Sequence, residues 1–276
     1  MFPISLVLPE PPPLKIVDVG AMSVGADPYE RLAEQMPCTV IGFEPLEEEC
    51  RKLNAAARPG RRFLPYVIGD GSEQTFHECA VAYTSSLLEP DAALLGHFTG
   101  FAEMLRVVAR RRVRTRRLDD VPEAEGADYL KLDVQGAELM VLDGAARVLQ
   151  GVLAVHTEAE FLPLYRNQPL FADIDARLRA HGFVLHKLPF TGLRPFAPVP
   201  VRGDSPLVSQ YVWCDAVYVR DFRAFDALAP EQLLKLAAIL HENYASYDFA
   251  AHALGAFDRR TGSDLRKRYL DYALAG

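Results

Sequence analysis

The sequence predicts an α/β fold built on a mostly parallel sheet. Short apolar runs alternate with amphipathic stretches from residue 14 to residue 188, the pattern of strands joined by crossover helices. The first run, LKIVDVGAMSVGAD at 14–27, leads into a glycine-bearing turn of the kind that holds a nucleotide. Five of the runs end near a carboxylate: Asp18, Glu44, Asp70, Asp133 and Glu158.

LKIVDV (14–19) reads as a buried strand. PYERLAEQM (28–36) suits a helix, with Asp27 as N-cap and Pro28 in its first position. CTVIGF (38–43) is a second strand, and LEEECRKLNAAA (46–57) a helix with acidic residues in its first turn. RFLPYVI (62–68) is a third strand running through Pro65 to Gly69-Asp70-Gly71. Residues 72–127 interrupt the alternation: QTFHECAVAY (74–83) reads as an antiparallel strand, 84–106 as loop and helix, and VRTRRL (113–118) as an edge strand. The rhythm resumes with the strand YLKLDV (129–134), one amphipathic helix AELMVLDGAARVL (137–149) and a strand within VLAVHTEAE (152–160). A helix over 171–182 ended by Gly182, a strand at 183–188, a proline-rich loop over 189–206 and a last strand at 213–220 follow. The expected organisation is one domain over 1–221, with 72–127 as insertion and edge strands, and a C-terminal helical extension over 222–276.

Composition bounds the function. Half of the 276 residues are apolar and 24% are charged, as in a globular protein with a large core. The formal net charge of −7 argues against a general nucleic-acid binder. No apolar stretch approaches the ~20 residues of a membrane span. The opening residues lack a basic segment, and Pro3 and Pro9 break their apolar run. Cys38, Cys50, Cys79 and Cys214 form no CxxC pair, so neither a zinc knuckle nor a disulfide framework is suggested. A cytoplasmic protein with reduced thiols is expected.

In a doubly wound sheet, ligands sit outside the carboxyl ends of the strands. Acids gathered at one rim repel each other unless a ligand occupies it. Glu44 ends the second strand, about 20 residues beyond the glycine turn, where a carboxylate accepts from both hydroxyls of a ribose. At Gly20 the backbone can approach a ligand with no Cβ in the way.

Taken in order, IVDVGA, GFEP, YVIGDG, YLKLDVQGAELMVLDGA and HTEAEF-PLY-NQPLF, over roughly 14–188, resemble the FkbM family of S-adenosylmethionine-dependent methyltransferases. DVQGAE and PLYRNQPLF are more specific than the glycine turn. The resemblance implies a Rossmann-like class I methyltransferase fold: a seven-stranded, mostly parallel sheet whose antiparallel last strand is WCDAVYVR. It implies S-adenosyl-L-methionine as cofactor. Asp18, Gly20 and Ala21 would flank its methionine part, Glu44 and Pro45 its ribose, and Ile68, Gly69 and Asp70 its adenine, with Asp70 accepting from the exocyclic amine. Asp133, at the end of its strand, is placed either to contact the cofactor's amino group or to cap the helix after Gly136. The family turn usually runs D-x-G-A-N-x-G. Here Met22 stands in the Asn position and Gly25 comes one residue late, so that either Ser23 substitutes for the missing amide or the turn bulges outward. The turn also lacks the middle glycine of G-x-G-x-x-G, which disfavours a pyrophosphate.

Methyl transfer to a hydroxyl needs alignment, exclusion of water and a proton acceptor. The candidates are Glu158, Asp133 and His156. Strand alternation puts His156 and Glu158 on one side; the alternative for His156 is a satisfied buried histidine, and Glu138 is as readily structural as catalytic. Ser85, Ser86, Tyr165 and Asn167 are candidate contacts to a small-molecule or glycan acceptor. No metal site is expected. The run ARRRVRTRR (109–117) holds six arginines and reads either as a phosphate contact or as the solvated face of an edge strand. The helical tail is a lid, a cap or a homodimer contact. The leading expectation is an S-adenosylmethionine-dependent O-methyltransferase acting on a hydroxyl of a sugar, glycan or secondary metabolite. The alternatives are an NAD(P)-dependent oxidoreductase, which lacks an obvious Tyr-x-x-x-Lys pair here, and a non-catalytic Rossmann-like module.

Overall fold

The computed structural model describes residues 2–8, 10–22, 25–200 and 208–275. Its strands, in chain order, are β1 (Leu14–Val19), β2 (Cys38–Phe43), β3 (Arg61–Leu64), β4 (Glu73–Cys79), β5 (Val107–Arg114), β6 (Tyr129–Leu132), β7 (Ala154–Glu160), β8 (Phe183–Arg194) and β9 (Gln210–Arg220). Seven of them form one sheet in the order β3-β2-β1-β6-β7-β9-β8, while β4 and β5 make a separate antiparallel ribbon. In the large sheet β9 runs against both of its neighbours. This is the mostly parallel, Rossmann-like sheet with an antiparallel last strand that the sequence predicts.

The helices are α1 (Glu30–Gln35), α2 (Glu47–Ala56), α3 (Ala92–Leu95), α4 (Phe101–Met104), α5 (Glu138–Asp143), α6 (Val148–Gly151), α7 (Phe171–Ala180), α8 (Pro230–Tyr244), α9 (Tyr247–Thr261) and α10 (Leu265–Ala275). None of the described helices is long and apolar enough to cross a membrane. Strand alternation sorts the core into two layers. Leu14, Ile16, Tyr129, Ala154, Val217 and Val219 pack with α1, α8, α9 and α10. Val17, Val19, Leu130, Leu132, Val155 and Tyr218 pack with α5, α6 and α7. The tail beyond residue 222 therefore packs, with α1, on one face of the sheet and shares its core.

Several elements depart from expectation. The first helix begins at Glu30, with Tyr29 rather than Asp27 at its N-cap; the Tyr29 hydroxyl turns inward to donate to Asp18 at 2.7 Å. β3 stops at Leu64, before Pro65, which has no N–H for the ladder. The expected single helix over 137–149 divides into α5 and α6 at Gly144, where an added Cβ would lie 2.7 Å from the Gly69 carbonyl oxygen. β8 continues to Arg194 through the stretch expected as a proline-rich loop; residues 201–206 of that stretch lie outside the described residues. Pro189 is tolerated because β8 is an edge strand and its pairing shifts register between Lys187 and Phe190. The arginine run starts its strand earlier than expected, and Arg110, Arg111 and Arg112 ion-pair with Glu89, Glu78 and Glu73.

Candidate active site

β1 delivers the chain into the turn at Gly20, whose φ is +84°. A Cβ there would lie 1.8 Å from the Asp133 carbonyl oxygen. The glycine is demanded first by the close approach of two strand ends. The N–H groups of Gly20 and Ala21 both donate to the Phe43 carbonyl, at 3.1 and 3.0 Å. Under the turn lies Lys131, 4% exposed. Its Nζ donates to the Gly20 carbonyl at 2.6 Å and stands 3.1 Å from Asp18 Oδ1 and 3.9 Å from Asp133 Oδ2. Burial opposes the Lys131 charge, but Asp18 and Asp133 hold its pKa above the usual lysine value.

Two residues expected to flank a methionine group do not face the open site. Asp18 is fully buried and engaged by Tyr29 and Lys131, because β1 alternation points it at α1. Burial raises its pKa against the pull of Lys131. Ala21 packs its methyl against Cys50 and Phe63 beneath α2. Ser23, expected to replace the Asn amide, lies outside the described residues.

Gly20, Glu44, Pro45, Ile68 and Asp133 line a cavity at the carboxyl ends of β1, β2 and β6. Phe43, Tyr66, Val67, Phe76, Leu87 and Val134 give it apolar walls. Glu44 is only 2% exposed. Its Oε1 accepts from the Leu46 N–H at 2.8 Å, and burial pushes its pKa up to about 7. Tyr66 stacks on Phe43 with ring centroids 6.2 Å apart, and the Arg116 guanidinium sits 3.9 Å from the Tyr66 ring centre.

Gly69 and Asp70, expected beside an adenine, have left this cavity. Beyond the end of β3, Tyr66, Val67 and Ile68 line the cavity, and Gly69 donates its N–H to the Arg116 carbonyl at 2.8 Å. The Asp70 carboxylate folds back to accept from Ser72 N at 2.9 Å, Ser72 Oγ at 2.7 Å and Thr115 Oγ1 at 3.1 Å. Those donors, the Ser72 N–H first, hold its pKa below the usual carboxylate value. It braces the turn into β4.

A second cavity of about 440 Å³ adjoins the first, and Met22, Tyr83, Asp133 and Gln135 line both. Alternation places Glu158 and Glu160 of β7 and Asp215 and Trp213 of β9 on the same sheet face, beyond the cover of α8, and all four line this cavity. Phe101, Phe190, Tyr165 and Arg194 complete much of the wall. The Arg194 guanidinium lies 4.5 Å from the Phe101 ring centre and 5.2 Å from that of Trp213, and desolvation lowers its pKa. Burial and the surrounding negative charges, Asp133 foremost, raise the Glu158 pKa well above the usual carboxylate value. Burial and Glu138 do the same to Glu160. Among the described residues no group of three or more His, Cys, Asp or Glu is arranged to hold a metal ion.

The other expected residues sort as follows. His156 is 8% exposed and lies deeper on β7, its Nδ1 3.2 Å from the Tyr244 hydroxyl, so it is a packed histidine under α8 rather than a cavity group. Ser85 lines the first cavity, not the second. Ser86 is buried and donates to the Gln135 carbonyl at 2.7 Å, which leaves it no face toward an acceptor. Asn167 is exposed in a turn with φ +57°; it shapes the loop after β7. Tyr165 lines the second cavity, with its hydroxyl 2.9 Å from the Thr84 carbonyl and 3.2 Å from Gln135 Oε1. Sequence reasoning missed Lys131, Gln135, Glu160 and Asp215. Period-two alternation from Glu158 and from Trp213 marks the last two; nothing local marks the first two.

The family model described as "Methyltransferase FkbM domain" matches residues 18–185, more than half of the chain. No curated protein matches the sequence. Among solved structures, the magnesium protoporphyrin IX methyltransferase of Synechocystis PCC 6803 with bound S-adenosylmethionine is 12% identical, at a TM-score of 0.36 over 79% of this chain and 76% of that one. A putative methyltransferase from Thermoplasma acidophilum is 11% identical, at a TM-score of 0.37 over 80% and 75%. At these values the two likenesses carry no argument about chemistry.

Proposed function

Because the chain belongs to the FkbM methyltransferase family, we propose that the first cavity takes S-adenosylmethionine and the second takes the hydroxyl that receives its methyl group. One observation carries this reading: the two cavities share Met22, Tyr83, Asp133 and Gln135, so a group held in one meets a group held in the other at a common wall.

The first cavity suits the cofactor. Glu44 is a buried carboxylate whose burial penalty two ribose hydroxyls would relieve. The apolar slot between Tyr66, Ile68 and Val134 matches a flat adenine. The glycine turn, held from below by Lys131, borders the space for the methionine part. When bound, the cofactor supplies an electrophilic methyl group on a sulfonium.

The chain's own residues supply the rest. Glu158 is the proton acceptor for the attacking hydroxyl: it lines the acceptor cavity, and its raised pKa matches it to a hydroxyl proton better than an ordinary carboxylate. Trp213 and Phe190 offer apolar faces beside Glu160 and Asp215, which accept hydrogen bonds from further hydroxyls. That pairing of ring faces with acceptors favours a polyhydroxylated acceptor such as a sugar, a glycan or a hydroxylated secondary metabolite. Calorimetry with S-adenosylhomocysteine and NAD tests the reading: binding of the first and not the second supports it, and NAD binding alone overturns it.

A further inference from the structure

Gln135 joins the two cavities through its side chain and through its backbone. Its φ is +57°, in the left-handed region that a non-glycine side chain occupies at a cost, and such positions gather where function over-determines the backbone. The side-chain Nε2 donates to Asp133 Oδ1 at 2.9 Å and to Glu158 Oε2 at 2.7 Å. Its Oε1 faces the Tyr165 hydroxyl at 3.2 Å. Its main-chain carbonyl is held by Ser86 Oγ at 2.7 Å. The Tyr165 hydroxyl donates to Oε1, which leaves the amide nitrogen as the end that faces the two carboxyl groups.

We propose that Gln135 is a positioning residue that holds Glu158, and with it Asp133, as an oriented carboxylate ready to take the acceptor's proton. The inference rests on the assignment of Glu158 as the base. Burial and the neighbouring carboxylates favour its protonated form. Glu160 lies on its own strand, Asp215 opposite on β9, Asp133 beyond β6 and Glu138 on α5. Lys131 sits by Asp133 and Asp18, and Arg194 of β8 is stacked between rings. His156, also on β7, faces Tyr244 and Asp215. A base that already carries a proton cannot accept one. An amide N–H fixed between two carboxylates selects the ionised form at those oxygens. Tyr165 holds the side-chain amide in turn, and Ser86 holds the main-chain carbonyl.

The test reads the carboxylate itself and needs no acceptor. The Glu158 side-chain carboxyl is followed by ¹³C NMR against pH in the wild type, Gln135→Gly and Gln135→Met, with Glu158→Gln identifying the signal. Glycine relieves the left-handed backbone while deleting the donor; methionine keeps the bulk. Both variants should raise the Glu158 midpoint by about one pH unit, and Gln135→Gly should melt at or above the wild-type temperature. An unmoved midpoint in either folded variant overturns the proposal and leaves Gln135 as packing. Failure of the base assignment shows separately, as normal methyl transfer by Glu158→Gln, on which the midpoint in the Gln135 variants has no bearing.

Discussion

Glu44 makes cofactor affinity depend on pH in a way its geometry dictates. In the free protein, burial places its pKa at about 7 against an ordinary 4.5. Two ribose hydroxyls donating to the carboxylate favour the charged form and draw the pKa down on binding. Affinity is then full above pH 7 and falls as pH drops below it, because binding must expel the proton. At pH 6 about nine-tenths of the free sites are protonated, so the dissociation constant should be about tenfold weaker than at pH 8, or about 1.4 kcal/mol. Glu44→Gln cannot titrate. It should bind S-adenosylhomocysteine about 1–3 kcal/mol more weakly at pH 8, as charged hydrogen bonds become neutral ones, and its affinity should be flat from pH 6 to pH 8. Calorimetry in two buffers of different ionisation enthalpy reads both the affinity and the proton released. A pH-independent wild type, or a pH dependence that survives in Glu44→Gln, would refute the ribose assignment.

Glu158→Gln should lower methyl transfer by about 10²–10⁴-fold with cofactor affinity nearly unchanged, and equal losses in both would move Glu158 out of the chemistry. Lys131→Met leaves Asp18 buried without its cation, so urea denaturation should show a loss of about 3–5 kcal/mol, partly recovered in the Lys131→Met/Asp18→Asn double variant. Unchanged stability would contradict the buried pair. Asp70→Asn should leave S-adenosylhomocysteine affinity within about twofold, since the carboxylate braces its own turn, while weakening stability by about 0.5–1.5 kcal/mol; a tenfold loss of affinity would place Asp70 back at the adenine.

The sheet was legible because each buried strand is a short apolar run and each crossover helix a run of different period. Boundaries failed where a proline or glycine acts through a distant partner. Pro65 ends β3, whereas Pro189 is carried inside β8 at an edge and a register shift. Gly144, where α5 ends, leaves room for the Gly69 carbonyl, 75 residues away, that a side chain would fill. At the site, Gly20, Glu44, Asp133 and Glu158 follow from strand ends alone, while Pro45 and Ile68 follow only from the family resemblance. Asp18 and Asp70 also follow strand runs, but alternation points the first at Tyr29 and an early strand end lets the second cap Ser72. Gln135 was hidden in a motif noted only for its pattern, because its left-handed backbone and its three partners belong to tertiary structure.

The most direct test of the central claim is a crystal structure with S-adenosylhomocysteine bound. The account predicts both ribose hydroxyls on the Glu44 carboxylate, the adenine against Tyr66 and Ile68, and the sulfur at the wall shared by Asp133 and Gln135, open toward Glu158. A ligand whose ribose avoids Glu44, or whose sulfur points away from that shared wall, would contradict it.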